Sequence, residues 1–147
     1  MKKKKILIFG GSGFLASHLC DELNKRKYQV KIFDFKKSPF LKNGQKIILG
    51  DILDSKKVIK ACKGVDIIYH FAAVADLREA NEKHLKAIKT NIFGTVNILE
   101  GAVKNNVKKI IFASSIYARS QQGGFYSTTK LSSEMIIERY CEKYPLK

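Results

Sequence analysis

Residues 6–16 have the sequence ILIFGGSGFLA, which passes from an apolar run through a glycine turn into the start of a helix. The apolar residues 6–9 predict a buried strand. Gly10 and Gly13 let the turn close and let the backbone approach a pyrophosphate at the positive end of the helix. Ala16 stands where a third glycine is usual, and such folds accept alanine there. A glycine pattern alone is weak in a chain with 10 glycines, so its context decides its meaning.

Apolar segments downstream repeat the strand signal. They predict strands over residues 6–9, 30–33, 47–49, 67–71 and 110–113. Strands this continuously apolar are typical of a parallel sheet covered on both faces. Alternation of strands and helices with right-handed crossovers predicts an α/β fold, the Rossmann doubly wound parallel sheet. No repeat or linker divides the chain, so residues 1–147 are expected to form a single domain.

Helical periodicity fills the segments between those strands. Leucines recur every four residues from position 15 to position 23 and predict one buried helix stripe. A second helix is predicted over residues 55–62 and a last one over residues 126–144. One long helix is predicted over residues 80–105, where apolar residues recur every three or four positions.

The carboxyl ends of the strands carry the informative polar residues, and ligands of doubly wound sheets bind at those ends. Asp34 ends the second predicted strand, 21 residues after Gly13. A carboxylate about 20 residues after the turn accepts the adenine-ribose hydroxyls of a dinucleotide. This favours NAD over NADP, because a carboxylate repels a 2′-phosphate. Lys36 and Lys37 follow closely and leave NADP as the alternative.

Tyr126 and Lys130 are one helical turn apart, so both side chains project from the same helix face. With 6 tyrosines and 24 lysines in the chain, about one such pair is expected by chance. The position of the pair is therefore more informative than the motif itself, because the pair follows a predicted strand end at Ser114 and Ser115. A tyrosine and a lysine there can reach a nicotinamide and a substrate hydroxyl together.

Seven features, in order and at family-like distances, resemble one known family. They are GGSGFLASHL, Asp34, GDILD, DIIYHFAA, TNIFGTVNILE, ASSIY and YSTTK. The chain resembles the N-terminal part of an extended short-chain dehydrogenase/reductase of the NAD-dependent epimerase/dehydratase group, whose members act on nucleotide-activated sugars. The resemblance covers essentially all of the chain.

The resemblance implies which residues contact NAD. The implied contacts are Gly10, Gly13, Phe14 and Leu15 at the pyrophosphate, Asp34 at the ribose, Asp51 and Ile52 beside adenine, Phe71, Ala72 and Ala73 after the fourth strand, Asn91 near the nicotinamide ribose, and Tyr126 and Lys130.

The same resemblance implies a catalytic set of Ser115, Tyr126 and Lys130. A tyrosine hydroxyl ordinarily has a pKa of about 10, and a neighbouring lysine ammonium favours its phenolate. Tyr126 would then take the proton of a sugar hydroxyl as hydride leaves for NAD, while Ser115 hydrogen-bonds the same oxygen.

Two departures from the family bear on activity. Ile116 and Tyr117 follow Ser115, where sugar 4,6-dehydratases of the family carry an Asp-Glu pair, so an epimerase or dehydrogenase is favoured. Members are about twice as long, so the chain is expected to be truncated before the sixth strand and the C-terminal substrate region. The alternative function is a non-catalytic dinucleotide-binding module or an inactive truncated fragment.

Composition limits the remaining function classes. The net charge is +15, but 24 of the 28 basic residues are lysines spread along the chain, so no specific nucleic-acid partner is expected. The three cysteines form no CxxC pair, and no apolar run is long enough to span a membrane. We therefore expect a cytoplasmic protein without a metal site or membrane anchor. The resemblance also implies a homodimer formed through the long helix and the last helix.

Overall fold

The computed structural model describes residues 3–43, 45–120 and 122–147. Its centre is a parallel sheet of five strands in the order β3-β2-β1-β4-β5. The strands are β1 (Lys5–Phe9), β2 (Gln29–Asp34), β3 (Lys46–Leu49), β4 (Ile67–His70) and β5 (Lys109–Phe112). Each predicted strand end lies within one residue of the observed end, and the predicted doubly wound α/β fold is confirmed.

Helices and helical turns connect the strands. They are α1 (Phe14–Lys25), α2 (Ser55–Ala61), α3 (Leu77–Glu82), α4 (His84–Ile88), a π-helical turn (Lys89–Phe93), α5 (Gly94–Lys104), a 3-10 turn (Ile116–Arg119) and α6 (Gly124–Lys143). The predicted second and last helices are confirmed as α2 and α6. In the described part of the chain, no helix is both long and apolar enough to cross a membrane.

The two faces of the sheet are covered differently. On one face, Phe9 and Phe33 are fully buried with residues of α2 and α5 such as Val58 and Ile98. On the other face, Ile8 and Ile32 pack against α1. Beside α1, an apolar groove of about 520 Å³ lies over β4 and β5. Its lining includes Leu15, Leu19, Tyr69, Phe71 and Ile111.

The predicted leucine stripe of α1 is confirmed at Leu19 and Leu23, which pack in the core, and wrong at Leu15. Leu15 is 66% exposed, whereas Ala16, Cys20 and Leu23 are buried and face the sheet. Small side chains near the start of the helix bring its backbone close to the strands. Ala16 is 2% exposed and belongs to the core, so its methyl group is accommodated where a third glycine is usual.

The predicted long helix over residues 80–105 is also wrong, because the structure interrupts it twice. Lys83 leaves the helical conformation, with φ −116° and ψ 51°, and separates α3 from α4. The π-helical turn then separates α4 from α5. Gly94 begins α5 so close to Ile52 that a Cβ there would lie 2.3 Å from the isoleucine Cδ1. Apolar spacing continues through both interruptions, so periodicity alone does not detect them.

Backbone pairing at the outer edge of β5 involves the end of the described chain. The Lys147 amide donates to the Lys108 carbonyl at 3.2 Å, and the Ile110 amide donates to the Lys147 carbonyl at 2.8 Å. This is the hydrogen-bond pattern of a parallel strand pair. The pairing lies where the sequence predicts the start of a sixth strand.

Gly10 is the glycine whose conformation the site depends on most. Its φ is +77°, and an added Cβ would lie 2.5 Å from the Ala72 amide nitrogen. Gly64 offers a matched comparison, because its φ is +69° but an added Cβ would find its nearest neighbour, Lys5 Nζ, at 4.0 Å. The two positions therefore differ in crowding and not in backbone region.

We expect Gly10→Ala to lower the free energy of unfolding more than Gly64→Ala does. Each variant pays about 1–2 kcal/mol for a left-handed alanine, and Gly10→Ala adds about 1–3 kcal/mol for forcing β1 and β4 apart. Urea denaturation of the two variants measures the difference. Equal losses would show that the close approach of Gly10 to Ala72 does not constrain the fold.

Candidate cofactor and catalytic site

The glycine turn leaves the first amides of α1 available to a ligand. The Gly10 amide donates to the Phe33 carbonyl at 2.9 Å, and the Gly13 amide donates to the Gly10 carbonyl at 3.2 Å. Gly13 caps α1 without a side-chain hydrogen bond. A Cβ on Gly13 would meet only the Gly10 carbonyl oxygen, at 3.4 Å, so the space in front of the helix is open. Phe14 and Leu15 follow and are 72% and 66% exposed. This is the geometry of an anion site at a helix N-terminus.

Asp34 joins the end of β2 to the glycine turn. The side chain is buried, and one carboxylate oxygen accepts from the Ser12 amide at 2.9 Å. The other oxygen accepts from the Lys36 amide at 3.2 Å. Each oxygen retains a lone pair for a ligand hydroxyl. The Asp34 carboxylate, which is predicted to bind the ribose, therefore lies beside the predicted pyrophosphate site.

Asp51 and Ile52 follow β3 and differ in what they present to a ligand. Asp51 is exposed, and its Oδ1 accepts from the Leu53 amide at 2.9 Å. The Ile52 side chain is 6% exposed and packs against Gly94. The Ile52 carbonyl accepts from the Asn97 amide group at 2.9 Å. Ile52 can thus contact a bound base chiefly through its backbone.

Phe71, Ala72 and Ala73 follow β4 and are all partly exposed. The Phe71 amide donates to the Phe9 carbonyl at 2.8 Å, which continues the pairing of β1 with β4. The backbone at Ala72 is the surface that Gly10 approaches. The segment after β4 therefore lies beside the glycine turn, and its contact with a cofactor stays a prediction.

Asn91 lies in the π-helical turn, and its buried side chain is fully engaged. Its Oδ1 accepts from the Val74 amide at 2.8 Å, and its Nδ2 donates to the Val74 carbonyl at 3.2 Å and to Thr129 Oγ1 at 2.9 Å. Its backbone carbonyl accepts from the Thr95 hydroxyl at 2.6 Å and lies 2.8 Å from the Ser133 hydroxyl. Asn91 therefore ties the loop after β4 to α6.

His70 ends β4 and extends this buried network. Its Nε2 lies 2.8 Å from Thr95 Oγ1. Because the threonine donates its proton to the Asn91 carbonyl, the His70 Nε2 carries the hydrogen in this bond. Burial, followed by the nearby Lys130 charge, lowers the pKa of His70 to about 3. His70 is thus a neutral, packed residue, which agrees with the ordinary role of a histidine that ends a buried strand.

Lys130 projects from α6 onto the end of β5. It is 3% exposed, and its Nζ lies 3.9 Å from the centroid of the Phe112 ring. Burial lowers the pKa of Lys130 to about 8, and the Glu134 carboxylate opposes that shift. Within the described residues, no hydrogen bond or ion pair engages the Lys130 ammonium. Tyr126 lies one turn earlier on α6 and packs beside Val74, Ala80 and Ala87.

Ser115 lies at the start of the 3-10 turn that follows β5. Its Oγ accepts from the Tyr117 amide at 3.2 Å. The Ser127 hydroxyl donates to the Tyr117 carbonyl at 2.7 Å, which fastens the start of α6 to that turn. Ser115, Tyr126 and Lys130 therefore belong to elements that contact one another at the carboxyl edge of the sheet. In the described part of the chain, no group of three acidic, histidine or cysteine side chains is arranged to hold a metal ion.

Several residues that hold α6 are not predicted from the sequence. Asn81 Oδ1 accepts from the Phe125 amide at 2.9 Å and so caps α6 from α3. A Cβ on Gly124 would lie 2.2 Å from that oxygen. The Gly123-Gly124 pair signals a tight turn before the helix, but nothing local marks Asn81. Thr95, Thr129, Ser133 and Glu134 likewise gain their roles from distant partners.

Comparisons with known proteins agree with this geometry. The chain is 41% identical to the UDP-N-acetyl-alpha-D-glucosaminuronate decarboxylase of Bacillus cytotoxicus over 119 residues, which is 77% of this chain and 37% of that protein. It is 33% identical to the human sterol-4-alpha-carboxylate 3-dehydrogenase, decarboxylating, over 112 residues, which is 76% of this chain and 29% of that protein.

The fold also matches solved structures. The Thermus thermophilus UDP-glucose 4-epimerase in complex with NAD superposes with a TM-score of 0.88 at 26% identity, over 97% of this chain and 52% of that chain. The chain thus spans about half or less of the length of these relatives. The model of the NAD dependent epimerase/dehydratase family matches residues 6–147, and the chain belongs to that family.

Proposed function

We propose that the chain binds NAD and supplies the catalytic residues of an NAD-dependent epimerase or dehydrogenase that acts on a nucleotide-activated sugar. One observation carries the proposal. The open glycine turn with Asp34 and the α6 face with Tyr126 and Lys130 lie at the same carboxyl edge of one sheet. Lys130 at that edge is buried and has no hydrogen-bond partner among the described residues. Its ammonium is therefore free to donate hydrogen bonds to a polar ligand.

The described residues fit a dinucleotide. The uncapped start of α1 and the open space at Gly13 suit a pyrophosphate, and Asp34 suits ribose hydroxyls. The proposed NAD contacts are Gly10, Gly13, Phe14, Leu15, Asp34, Asp51, the backbone of Ile52, Phe71, Ala72, Ala73, Tyr126 and Lys130. Because its polar atoms already have partners, Asn91 is proposed to support the nicotinamide end by holding Val74 and α6.

Ser115, Tyr126 and Lys130 have separate roles in the proposed oxidation of one sugar hydroxyl. NAD, when bound, supplies the acceptor for the hydride. Tyr126 takes the hydroxyl proton, and Ser115 donates a hydrogen bond to the same oxygen. The Lys130 ammonium hydrogen-bonds the nicotinamide ribose. An epimerase then returns the hydride to the opposite face of the sugar carbon.

The segment after Ser115 favours epimerase or dehydrogenase chemistry over dehydration. The two positions after Ser115 carry Ile116, which is 88% exposed, and Tyr117, which lies in the 3-10 turn. Neither side chain is acidic. Elimination needs an acid and a base in addition to the tyrosine. Which sugar and nucleotide are bound depends on residues that hold the substrate, and the family relatives differ in substrate.

A non-catalytic dinucleotide-binding module is the second candidate. It is favoured by the apolar groove over β4 and β5, which stays open in the described part of the chain. A chain of this kind would bind NAD without turning over a sugar nucleotide. Turnover therefore separates the two candidates.

A homodimer through the helices of residues 77–104 and α6 is also proposed. Large apolar side chains on these elements are exposed, which suits a helix interface. They are Leu85, Phe93, Leu131 and Met135. Cytoplasmic location and the lack of a specific nucleic-acid partner stay predictions from the sequence.

We expect Asp34→Asn to weaken NAD binding by about tenfold or more, because a carboxylate that accepts two ribose hydroxyls contributes charge-assisted hydrogen bonds. Isothermal titration of the wild-type chain and the variant with NAD and NADP measures the change. The NADP affinity is expected to fall less than the NAD affinity. Asp66→Asn is the matched control, because Asp66 also accepts a backbone amide, from Lys5 at 2.7 Å, but at the opposite edge of the sheet.

Unchanged NAD affinity in Asp34→Asn would contradict the ribose assignment. Absence of NAD binding by the folded wild-type chain would contradict the whole cofactor proposal.

Tyr126→Phe is expected to reduce turnover of UDP-glucose or UDP-N-acetylglucosamine by about 100-fold or more, because it removes the proton acceptor. NAD affinity should stay within about threefold, since one hydrogen bond at most is lost. Product analysis of the sugar nucleotide and titration with NAD measure the two effects. Tyr144→Phe, which removes a hydroxyl just beyond α6, serves as the control.

Full turnover by Tyr126→Phe would exclude Tyr126 as the base. NAD binding without turnover by the wild-type chain would instead support the non-catalytic module.

A further inference from the structure

Glu134 is a charged residue at this edge to which the proposed function gives no role. It lies on α6 one turn after Lys130, and its side chain is 21% exposed. Its Oε1 accepts a hydrogen bond from the Ser114 hydroxyl. Its Oε2 is buried and lies 3.6 Å from the Arg119 guanidinium. The carboxylate is therefore fixed between α6, the end of β5 and the 3-10 turn.

The surroundings of Lys130 make Glu134 the relevant countercharge. The groups found near the lysine are His70 from β4, the Phe112 ring from β5, and Glu134 from α6 itself. His70 is neutral because burial lowers its pKa to about 3. Burial also lowers the pKa of Lys130, and the negative charge of Glu134 is what raises it toward its ordinary value.

We propose that Glu134 is a positioning residue of this site: it fastens the segment after β5 that carries Ser114 and Ser115 to α6, and it places a negative charge one helical turn from Lys130. The inference rests on the proposed function only for the roles given to Ser115, Tyr126 and Lys130. These two effects of Glu134 have different requirements. The hydrogen bond needs an acceptor oxygen facing Ser114, whereas the effect on Lys130 needs a full negative charge.

Two substitutions separate the effect of the hydrogen bond from the effect of the negative charge. Glu134→Gln keeps an acceptor oxygen for Ser114 and removes the charge. Ser114→Ala removes the hydrogen bond and keeps the charge. Glu138→Gln is the matched control, because Glu138 is an exposed carboxylate one turn further along the same helix.

The direct test is the titration of Lys130 in the chain without cofactor. NMR of side-chain-labelled lysine follows the ammonium, and the signal is assigned by its loss in Lys130→Met. The wild-type signal is expected to titrate near pH 8, apart from the exposed lysines. Because a lysine is charged below its pKa, loss of the Glu134 charge should move the transition to lower pH. Glu138→Gln and Ser114→Ala should leave it at the wild-type pH.

An unchanged transition in Glu134→Gln would overturn the proposal. If that variant does not fold, the pair Glu134→Asp and Glu134→Asn makes the same comparison of charged with neutral, and equal transitions in the pair would overturn it as well. A purely structural role for Glu134 changes stability but does not move the lysine titration.

Cofactor binding and turnover give the second readout. In Glu134→Gln, the loss of NAD affinity at alkaline pH should begin at lower pH, by the same displacement as the lysine titration. Ser114→Ala should lower kcat severalfold without moving that alkaline loss. If the wild-type chain bound no NAD, the proposed function would fail, while the lysine titration would still decide the role of Glu134.

Discussion

The buried side chain of Asn91 is the constraint on which the rest of the site depends. Its amide group is shared between the Val74 backbone and Thr129, and its carbonyl is held by Thr95 and faces Ser133. Three elements, the loop after β4, the π-helical turn and α6, thereby have fixed relative positions. Buried hydrogen bonds of this kind are strong and specify one arrangement of the elements that they join. Tyr126 and Lys130 bracket Thr129 on α6, so the network sets where both of them lie.

Burial of the charged Lys130 side chain lowers the stability of the folded chain. Its ammonium lies over the Phe112 ring, and burial of the residue lowers its pKa to about 8 from the ordinary 10.5. A depressed lysine pKa means that the charged form destabilises the folded state below pH 8. That penalty disappears as the pH rises from about 8 through 10.5, because there the unfolded chain binds the proton that the folded chain has released. An apolar side chain at this position could fill the same space without this cost. A bound ribose that accepts hydrogen bonds from the ammonium would offset it.

The parts of the fold that the sequence predicts are those decided by neighbouring residues. The five strands follow from short apolar runs, and the glycine turn follows from Gly10 and Gly13 beside them. The long helix is wrong because distant contacts accompany its second interruption: Gly94 lies against Ile52, and the Asn91 side chain bonds Val74 and Thr129. The leucine stripe of α1 is wrong only at Leu15, because the helix approaches the sheet through Ala16 and Cys20 as well as Leu19 and Leu23. Asn81 and Glu134 act on partners 44 and 20 residues away, which no local pattern signals. The family motifs place Ser115, Tyr126 and Lys130 at one edge, but not the polar network beneath them.

A crystal structure of the chain with NAD tests the central claim most directly, namely that one sheet edge joins a dinucleotide site to a catalytic tyrosine and lysine. The account predicts the pyrophosphate over the first amides of α1, the adenine ribose on Asp34, and the nicotinamide ribose within hydrogen-bond distance of Lys130 Nζ. It also predicts that the Asn91 contacts to Val74 and Thr129 are unchanged by the cofactor. A nicotinamide bound away from Lys130 and Tyr126, or a dinucleotide that leaves the Gly10–Gly13 turn empty, would contradict the account.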